Sequence, residues 1–238
     1  MRFTKIAVLM LVIFMVGGNL FAQGRNPQIE LYGGVAFPLS PDAFKDVFKM
    51  GLSLNAQYVL FPSPSIGIPV FVGYERFTVD ADAIGDEFKA AIQAGLAGSG
   101  LDLVSADLDV EGSASTVKFG IGIRPYLTKP EASTQIFLFG TGTYNILNEK
   151  EKFNSATLTI RDQFGNQQTG RVTAEDLQNE GAETEFKADD NKFGLAGGIG
   201  FEIPAGESLN LIIQGLFNVI MTENESTSFV GVTAGLVF

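Results

Sequence analysis

The chain has 238 residues, of which 45% are hydrophobic, and its 27 acidic and 16 basic side chains give a formal charge of −11. It contains no cysteine, which excludes disulfides and a lipid-modified cysteine anchor. It also contains no histidine, which is the most common general base. The chain therefore lacks both histidine and cysteine as metal ligands. We therefore expect no enzymatic activity, catalytic site, resident metal or cofactor, and the acidic balance argues against a nucleic-acid partner.

Residues 1–22 have the pattern of a cleavable secretory signal. Arg2 and Lys5 precede an unbroken apolar stretch over residues 6–16. That stretch is well short of the roughly 20 residues that a membrane-spanning helix needs. We predict one mature domain over residues 23–238, with 14 basic and 27 acidic side chains and a formal charge of −13.

Eight segments of the mature chain have the length and alternation of membrane-crossing β-strands. Such a strand needs roughly 9–11 residues when it is tilted in the bilayer. Leu52, Leu54 and Leu60, for example, belong to one alternate set of residues, and Ser53 and Asn55 belong to the other. The predicted strands are residues 28–37, 49–61, 68–79, 113–127, 135–147, 192–203, 209–221 and 228–238.

The connections between these strands alternate between short and long. Short turns at residues 62–67, 128–133 and 204–208 fall on one end, and long acidic loops over residues 81–112 and 148–190 fall on the other. This asymmetry is typical of outer-membrane barrels. The predicted fold is all-β, an eight-stranded antiparallel up-and-down transmembrane β-barrel with both termini at the short-turn end. A soluble lipocalin-like barrel fits less well, because its bulky apolar side chains would point inward around a ligand.

Five charged residues interrupt the predicted strands. If the bulky apolar sets face lipid, Glu30, Glu75, Lys118, Arg124 and Glu202 project into the lumen. A cation on the lipid face at mid-membrane would cost roughly 2–4 kcal/mol, which favours the interior. Glu30, Arg124 and Glu202 lie toward the turn end, and Glu75 faces Lys118 nearer the loops, which predicts two ionic layers. The pairs either plug and rigidify the lumen or gate a narrow conduction path.

Aromatic residues fall toward both ends of the strands, as in the two aromatic girdles at membrane interfaces. Ordinary strand propensity would also enrich aromatics there. The set toward the loops is Phe37, Phe77, Tyr144, Phe193, Phe217 and Phe229, and the set toward the turns is Tyr58, Phe61, Tyr126, Phe201 and Phe238.

Both long loops contain segments whose sequence predicts regular secondary structure. An apolar residue recurs every fourth position between Asp82, the expected N-cap, and Gly98, which predicts a helix that packs on the barrel rim rather than on a partner or the membrane surface. Residues 157–162 and 168–173 predict a hairpin, whose edges could pair with a strand of another protein. The apolar positions of the helix are Ile84, Phe88, Ile92 and Leu96.

An acidic run lies at the end of the first long loop. It suggests a divalent-cation site, although its spacing does not match an EF-hand, and a solvated face is the simpler interpretation. The run consists of Asp102, Asp107, Asp109 and Glu111.

The opening strand IELYGGVAFP and the closing strand FVGVTAGLVF, after the export signal, make the chain similar to small outer-membrane β-barrel proteins of the OmpA/OmpX-like, "porin family" type. The resemblance implies residence in the outer membrane of a Gram-negative bacterium, among its lipids and lipopolysaccharide. It also implies that the barrel-assembly machinery recognises the apolar face of the last strand. That face consists of Val230, Val232, Ala234, Leu236 and Phe238.

The functional expectation concerns the loops. We expect a monomer with a structural, surface-interaction, adhesion or defence role, in which residues 81–112 and 148–190 contact an extracellular protein. The alternative is a narrow passive channel for ions or small solutes, because an eight-stranded barrel is barely wide enough for its own side chains.

Overall fold

Antiparallel strands dominate the computed structural model, which describes residues 25–206, 208–221 and 226–238. The predicted signal peptide over residues 1–22 lies outside these ranges. Within them the strands are β1 (Gln28–Ser40), β2 (Gly51–Ser63), β3 (Ile66–Thr78), β4 (Leu101–Pro125), β5 (Gln135–Asp162), β6 (Gln167–Thr173), β7 (Glu185–Pro204), β8 (Asn210–Ile220) and β9 (Thr227–Val237). The helices are α1 (Asp42–Val47), α2 (Ala81–Leu96) and α3 (Ala174–Asn179).

The strands close into a barrel. Pairing runs in the order β4-β3-β2-β1-β9-β8-β7-β5, and a β4–β5 ladder completes the ring of eight strands. β6 pairs only with the far part of β5 and stands outside the ring. The short β2–β3, β4–β5 and β7–β8 connections share one end, the turn end, where Phe238 also pairs with Ile29. The predicted eight-stranded antiparallel barrel is confirmed.

The barrel wall is apolar on the outside and largely polar on the inside. On β2, Leu52 and Leu54 are each 66% exposed, whereas Ser53 and Asn55 between them are buried. An apolar belt of this kind matches the hydrocarbon core of a bilayer, and the arrangement is the reverse of a soluble ligand-binding barrel. Further exposed belt residues are Leu31, Val72, Ile121, Ile123, Leu195, Ile199, Leu211 and Ile213. Among the helices in the described part of the chain, none combines the length and apolar character needed to span a membrane.

Three strands continue far beyond the ends predicted for them. β4 begins at Leu101 rather than at residue 113, β5 ends at Asp162 rather than at residue 147, and β7 begins at Glu185 rather than at residue 192. The stretches predicted as solvated loops are therefore largely paired sheet. Cross-strand neighbours of opposite charge, such as Glu111 and Lys152, suit a sheet that stands in water.

We call this region the extended sheet; it comprises residues 101–112, 148–162, 167–173 and 185–191. The predicted hairpin is confirmed, because β6 pairs with residues 155–161 of β5. Its turn includes Gly165, whose φ of 87° is unfavourable for other residues.

α2 begins earlier than its apolar pattern suggested. The N-cap is Asp80 and not Asp82, because the Asp80 carboxylate accepts a hydrogen bond from the Ala83 amide at 3.1 Å. That bond, with help from Lys49, lowers the pKa of Asp80 below its usual value. α2 lies against β4. The predicted stripe of Ile84, Phe88, Ile92 and Leu96 is half-buried, so the helix packs along a strand of the extended sheet as well as over the rim.

The seam between β1 and β9 depends on a close approach at one glycine. A Cβ added to Gly34 would lie 1.9 Å from the carbonyl oxygen of Val232. Gly34→Val is expected to cost at least about 1–3 kcal/mol through overpacking and to impair barrel closure. Gly142→Val is the matched control, because a Cβ there meets nothing within 4 Å. Migration of unboiled samples in gels reports closure, and equal behaviour of the two variants would contradict the assignment of the seam.

Candidate functional site

The first ion pair in the lumen joins neighbouring strands on the side of the loops. Lys118 Nζ lies 2.5 Å from Glu75 Oε1, and both side chains are buried. The geometry depends on Gly73, directly opposite Lys118, because a Cβ there would lie 2.6 Å from Lys118 Cε. The structure therefore brings together the two residues that the sequence placed face to face.

The second ion pair crosses the lumen, since β1 and β4 are not neighbours in the sheet. The Arg124 guanidinium donates to both oxygens of Glu30, at 2.5 and 3.0 Å, and it lies 4.2 Å from the centre of the Phe137 ring. Gln57 also donates to Glu30, and Tyr32 donates to Gln57 at 3.1 Å. A buried bidentate pair with these supporting contacts holds three strands in a fixed register.

Glu202 does not pair with Arg124, although both lie in the turn-end half of the lumen. Its cation is Arg25, which precedes β1. The Arg25 guanidinium also lies about 5 Å from the ring centres of Phe61 and Tyr126, at 4.9 and 5.0 Å respectively. Further hydrogen bonds to Glu202 come from Gln28 and Asn210.

Sequence reasoning missed Arg25 because it considered charges only within the predicted strands. A signal was nevertheless available. Three buried acids, Glu30, Glu75 and Glu202, faced only two bases, Lys118 and Arg124, and a buried carboxylate needs a partner. The unmatched acid called for another cation near the turn end.

Apolar clusters fill the lumen on both sides of its polar middle. The cluster at the turn end consists of Val59, Phe61, Tyr126, Phe137, Ile212 and Val237. At the loop end Phe77 and Phe229 contact each other with ring centres 5.6 Å apart, and Phe44 from α1 lies 5.0 Å from Phe77. Phe48 and Ile220 complete this second cluster together with Ala36.

A small cavity lies between the two clusters. Its volume is about 30 Å³, and polar side chains including Asn55, Gln57, Lys118 and Gln214 line it. A polar cavity of this size accommodates one or two water molecules. The middle of the lumen is thus polar but narrow.

The aromatic residues divide between the two faces of the wall. Four members of the predicted girdles, Phe61, Phe77, Tyr126 and Phe229, are buried in the lumen, so their assignment to the lipid interfaces was wrong. They have the inward parity of their strands, which position along the strand alone does not reveal. Exposed members that remain on the outside are Phe37, Tyr144, Phe193, Phe201, Phe217 and Phe238.

The last strand presents the face that the sequence associated with barrel assembly. Val230, Val232, Ala234, Leu236 and Phe238 are all exposed on the outside of the barrel. The alternate residues Phe229, Gly231, Thr233 and Val237 are buried. A continuous apolar face at the end of the chain is therefore available to lipid or to another protein.

The acidic run lies on the extended sheet and is solvent-exposed. Asp102 is paired across the ladder with Arg161, and Glu111 with Lys152. In residues 25–206, 208–221 and 226–238 no three acidic side chains are grouped so that they could hold a metal ion. The divalent-cation hypothesis for Asp102, Asp107, Asp109 and Glu111 thus has no formed site there.

Comparison with known proteins finds structural resemblances at low sequence identity. No protein-family model and no curated protein matches the chain. Solved structures that resemble it include Ail, the attachment invasion locus protein of Yersinia pestis (11% identity, 90% of this chain and 100% of Ail covered, TM-score 0.45). Others are Neisserial surface protein A (11% identity, 89% and 95% covered, TM-score 0.42) and OprG from Pseudomonas aeruginosa (12% identity, 90% and 96% covered, TM-score 0.43). At these identities and TM-scores, nothing about the function of this chain follows from the resemblances.

Loss of Lys118 tests whether the buried pair stabilises the barrel. Lys118→Met is expected to destabilise the protein by about 3–5 kcal/mol, because it leaves Glu75 as an uncompensated buried charge. Adding Glu75→Gln removes that charge and should restore most of the stability. Urea unfolding in detergent, followed by circular dichroism, measures both changes.

Lys187→Met provides the control for the loss of a lysine, since the Lys187 ion pair with Glu185 is exposed. Its effect should stay below about 1 kcal/mol. A double variant that is as unstable as Lys118→Met alone would contradict the assigned role of the pair.

Proposed function

We propose that this protein resides in the outer membrane of a Gram-negative bacterium and presents the extended sheet to the exterior as a surface for contacts with other molecules. The role is structural or adhesive rather than enzymatic. The filled lumen supports this proposal, because it leaves the region beyond the belt as the place where a partner can bind. The absence of histidine and cysteine from the chain agrees with a role other than catalysis.

The observation that carries the proposal is the length of ordered sheet beyond the apolar belt. Residues 101–112 alone span roughly 40 Å at about 3.3 Å per residue. A barrel needs no such extension to cross the bilayer. The sheet also ends in β6, whose residues are almost all exposed and whose outer edge pairs with no other described strand. Free edges of this kind bind extended polypeptide by strand addition.

The proposed orientation places the turn end in the periplasm and the extended sheet outside the cell. Export would use the signal in residues 1–22, and the machinery that assembles barrels would recognise the exposed face from Val230 to Phe238. Lipid and lipopolysaccharide would then surround the apolar belt of a monomer. Short periplasmic turns and long exterior segments are the common arrangement in such barrels.

A trimmed chain tests the surface role. Replacing residues 153–184 with Asn-Gly joins Lys152 to Glu185, which are cross-strand partners, through a favoured hairpin turn. Host cells that display the full chain should be retained on surfaces coated with serum or matrix protein, and cells that display the trimmed chain should not. Equal retention of both cell types, or retention no better than that of the empty host, would contradict the proposal.

The channel alternative has a specific basis in the polar cavity beside Lys118 and Arg124. Conductance in planar bilayers distinguishes the two functions. The filled lumen leads us to expect no steady openings from the purified protein. Steady openings that change in Glu75→Gln or Lys118→Met would establish a conduction path and overturn the plugged lumen.

A further inference from the structure

A cleft lies above the loop end of the barrel, between α2 and the concave face of the extended sheet. It has a volume of about 360 Å³, which is within the range of roughly 300–1,000 Å³ for ligand clefts. Its floor is apolar. It is formed by residues of α2, β4, β5 and β7 and by Val79, which precedes α2. The floor residues are Val79, Ile84, Val110, Phe153 and Phe186.

The floor is open to solvent at one aromatic residue. Phe186 is 56% exposed, although it stands beside Glu151 in the β5–β7 ladder rather than at a loop tip. An aromatic ring that is held by a paired strand and exposed within a concave surface is typical of a binding face. This part of the chain lies beyond the apolar belt, so lipid does not cover the ring.

The rim of the cleft is acidic. Glu111, Glu151, Glu183 and Glu185 line it together with Lys152, which gives a net charge of −3. Glu151 shares the strand face of Phe153 and Phe186, whereas Glu111, Lys152 and Glu185 alternate to the other face, where Glu111 and Lys152 are cross-strand neighbours. Only Glu185 has an ion-pair partner within the described ranges, Lys187 at 2.8 Å. The other three carboxylates form no ion pair within those ranges.

Glu149 adds to the negative charge on the same side of β5. It precedes Glu151 by two residues and therefore shares its face of the strand. Burial, together with the nearby charge of Glu151, raises the pKa of Glu149 above its usual value. A cation bound beside these carboxylates would relieve the repulsion between them.

We propose that this cleft binds a basic segment of polypeptide in which an aromatic or aliphatic side chain stands between lysines or arginines. The apolar side chain enters the floor beside Phe186 and Phe153, and the flanking cations contact Glu151 and Glu183. This inference rests on the surface-interaction role proposed above and names the chemistry of its partner.

Charge decides between this occupant and two others. A second copy of the chain is disfavoured, because the mature protein is strongly acidic and like charges would meet at the rim. A bare metal ion is disfavoured, because no three acidic groups in the described part of the chain converge on one point. A basic amphipathic segment complements both the floor and the rim.

Peptide binding to the folded barrel tests the proposal. The probe is a fluorescent, end-capped peptide with the sequence GKFKLKG, added to the full chain in zwitterionic nanodiscs at roughly 0.15 M salt. Fluorescence anisotropy should report saturable binding. The comparison peptides GSFSLSG, without cations, and GKSKSKG, without apolar side chains, should each bind at least about tenfold more weakly.

Variants of the cleft locate the binding site. Glu151→Gln with Glu183→Gln should weaken binding of GKFKLKG about tenfold, and Phe186→Ser should weaken it at unchanged charge. The matched control is Glu175→Gln with Glu180→Gln, two exposed acids on or beside α3 and outside the cleft, and it should change binding less than about twofold.

Equal weakening by the two paired variants, full binding of GKSKSKG, or no binding at all would overturn the inference. Migration of unboiled samples in gels verifies that each variant is folded. If the cleft variants lose the peptide while cell retention persists, the cleft is a site but not the one that retains cells. If cells are retained by the extended sheet and the peptide never binds, the inference fails and the proposed surface role stands.

Discussion

The structure depends on one constraint, that the backbone of a membrane-spanning strand finds no hydrogen-bond partner in hydrocarbon. Every N–H and C=O must therefore be paired by another strand, and the sheet must close on itself. With eight strands the ring has an interior that side chains alone can fill. The contents of the lumen follow from this closure, because any charge inside must be matched by a neighbour rather than by bulk water.

The lumen meets that requirement in layers. An apolar cluster at each end flanks a polar middle that contains the pairs Glu75–Lys118 and Glu30–Arg124. The aromatic rings exclude bulk water and so strengthen the ion pairs beside them. Arg25 completes the arrangement at the turn end by pairing with Glu202. The buried acidic side chains in the interior are thus matched by basic ones, and side chains fill the lumen. The outer surface is therefore the better candidate for function.

The parts of the structure that follow a period of two were accessible from the sequence. The barrel strands, their parity and the inward direction of Glu30, Glu75, Lys118, Arg124 and Glu202 all depend on that period. The outer ends of β4, β5 and β7 were not, because their polar residues look like solvated loop when no apolar face marks a sheet. The rings of Phe61 and Phe77 point inward. They were assigned to the lipid interfaces because of their position along the strand, and their parity was not used. The cleft was also out of reach, because its residues come from distant segments that only the folded sheet brings together.

Within the described residues the extended sheet rises from β4, β5 and β7, so the mouth of the barrel has one high wall and one low side over β1, β2, β3, β8 and β9. A molecule that approaches along the membrane plane therefore meets the high wall from one side and the low rim of the barrel from the other. The wall flanks the α2 side of the mouth, while the low side stays approachable. The protein consequently has a front and a back, and access to its mouth is governed by how it is rotated about the bilayer normal.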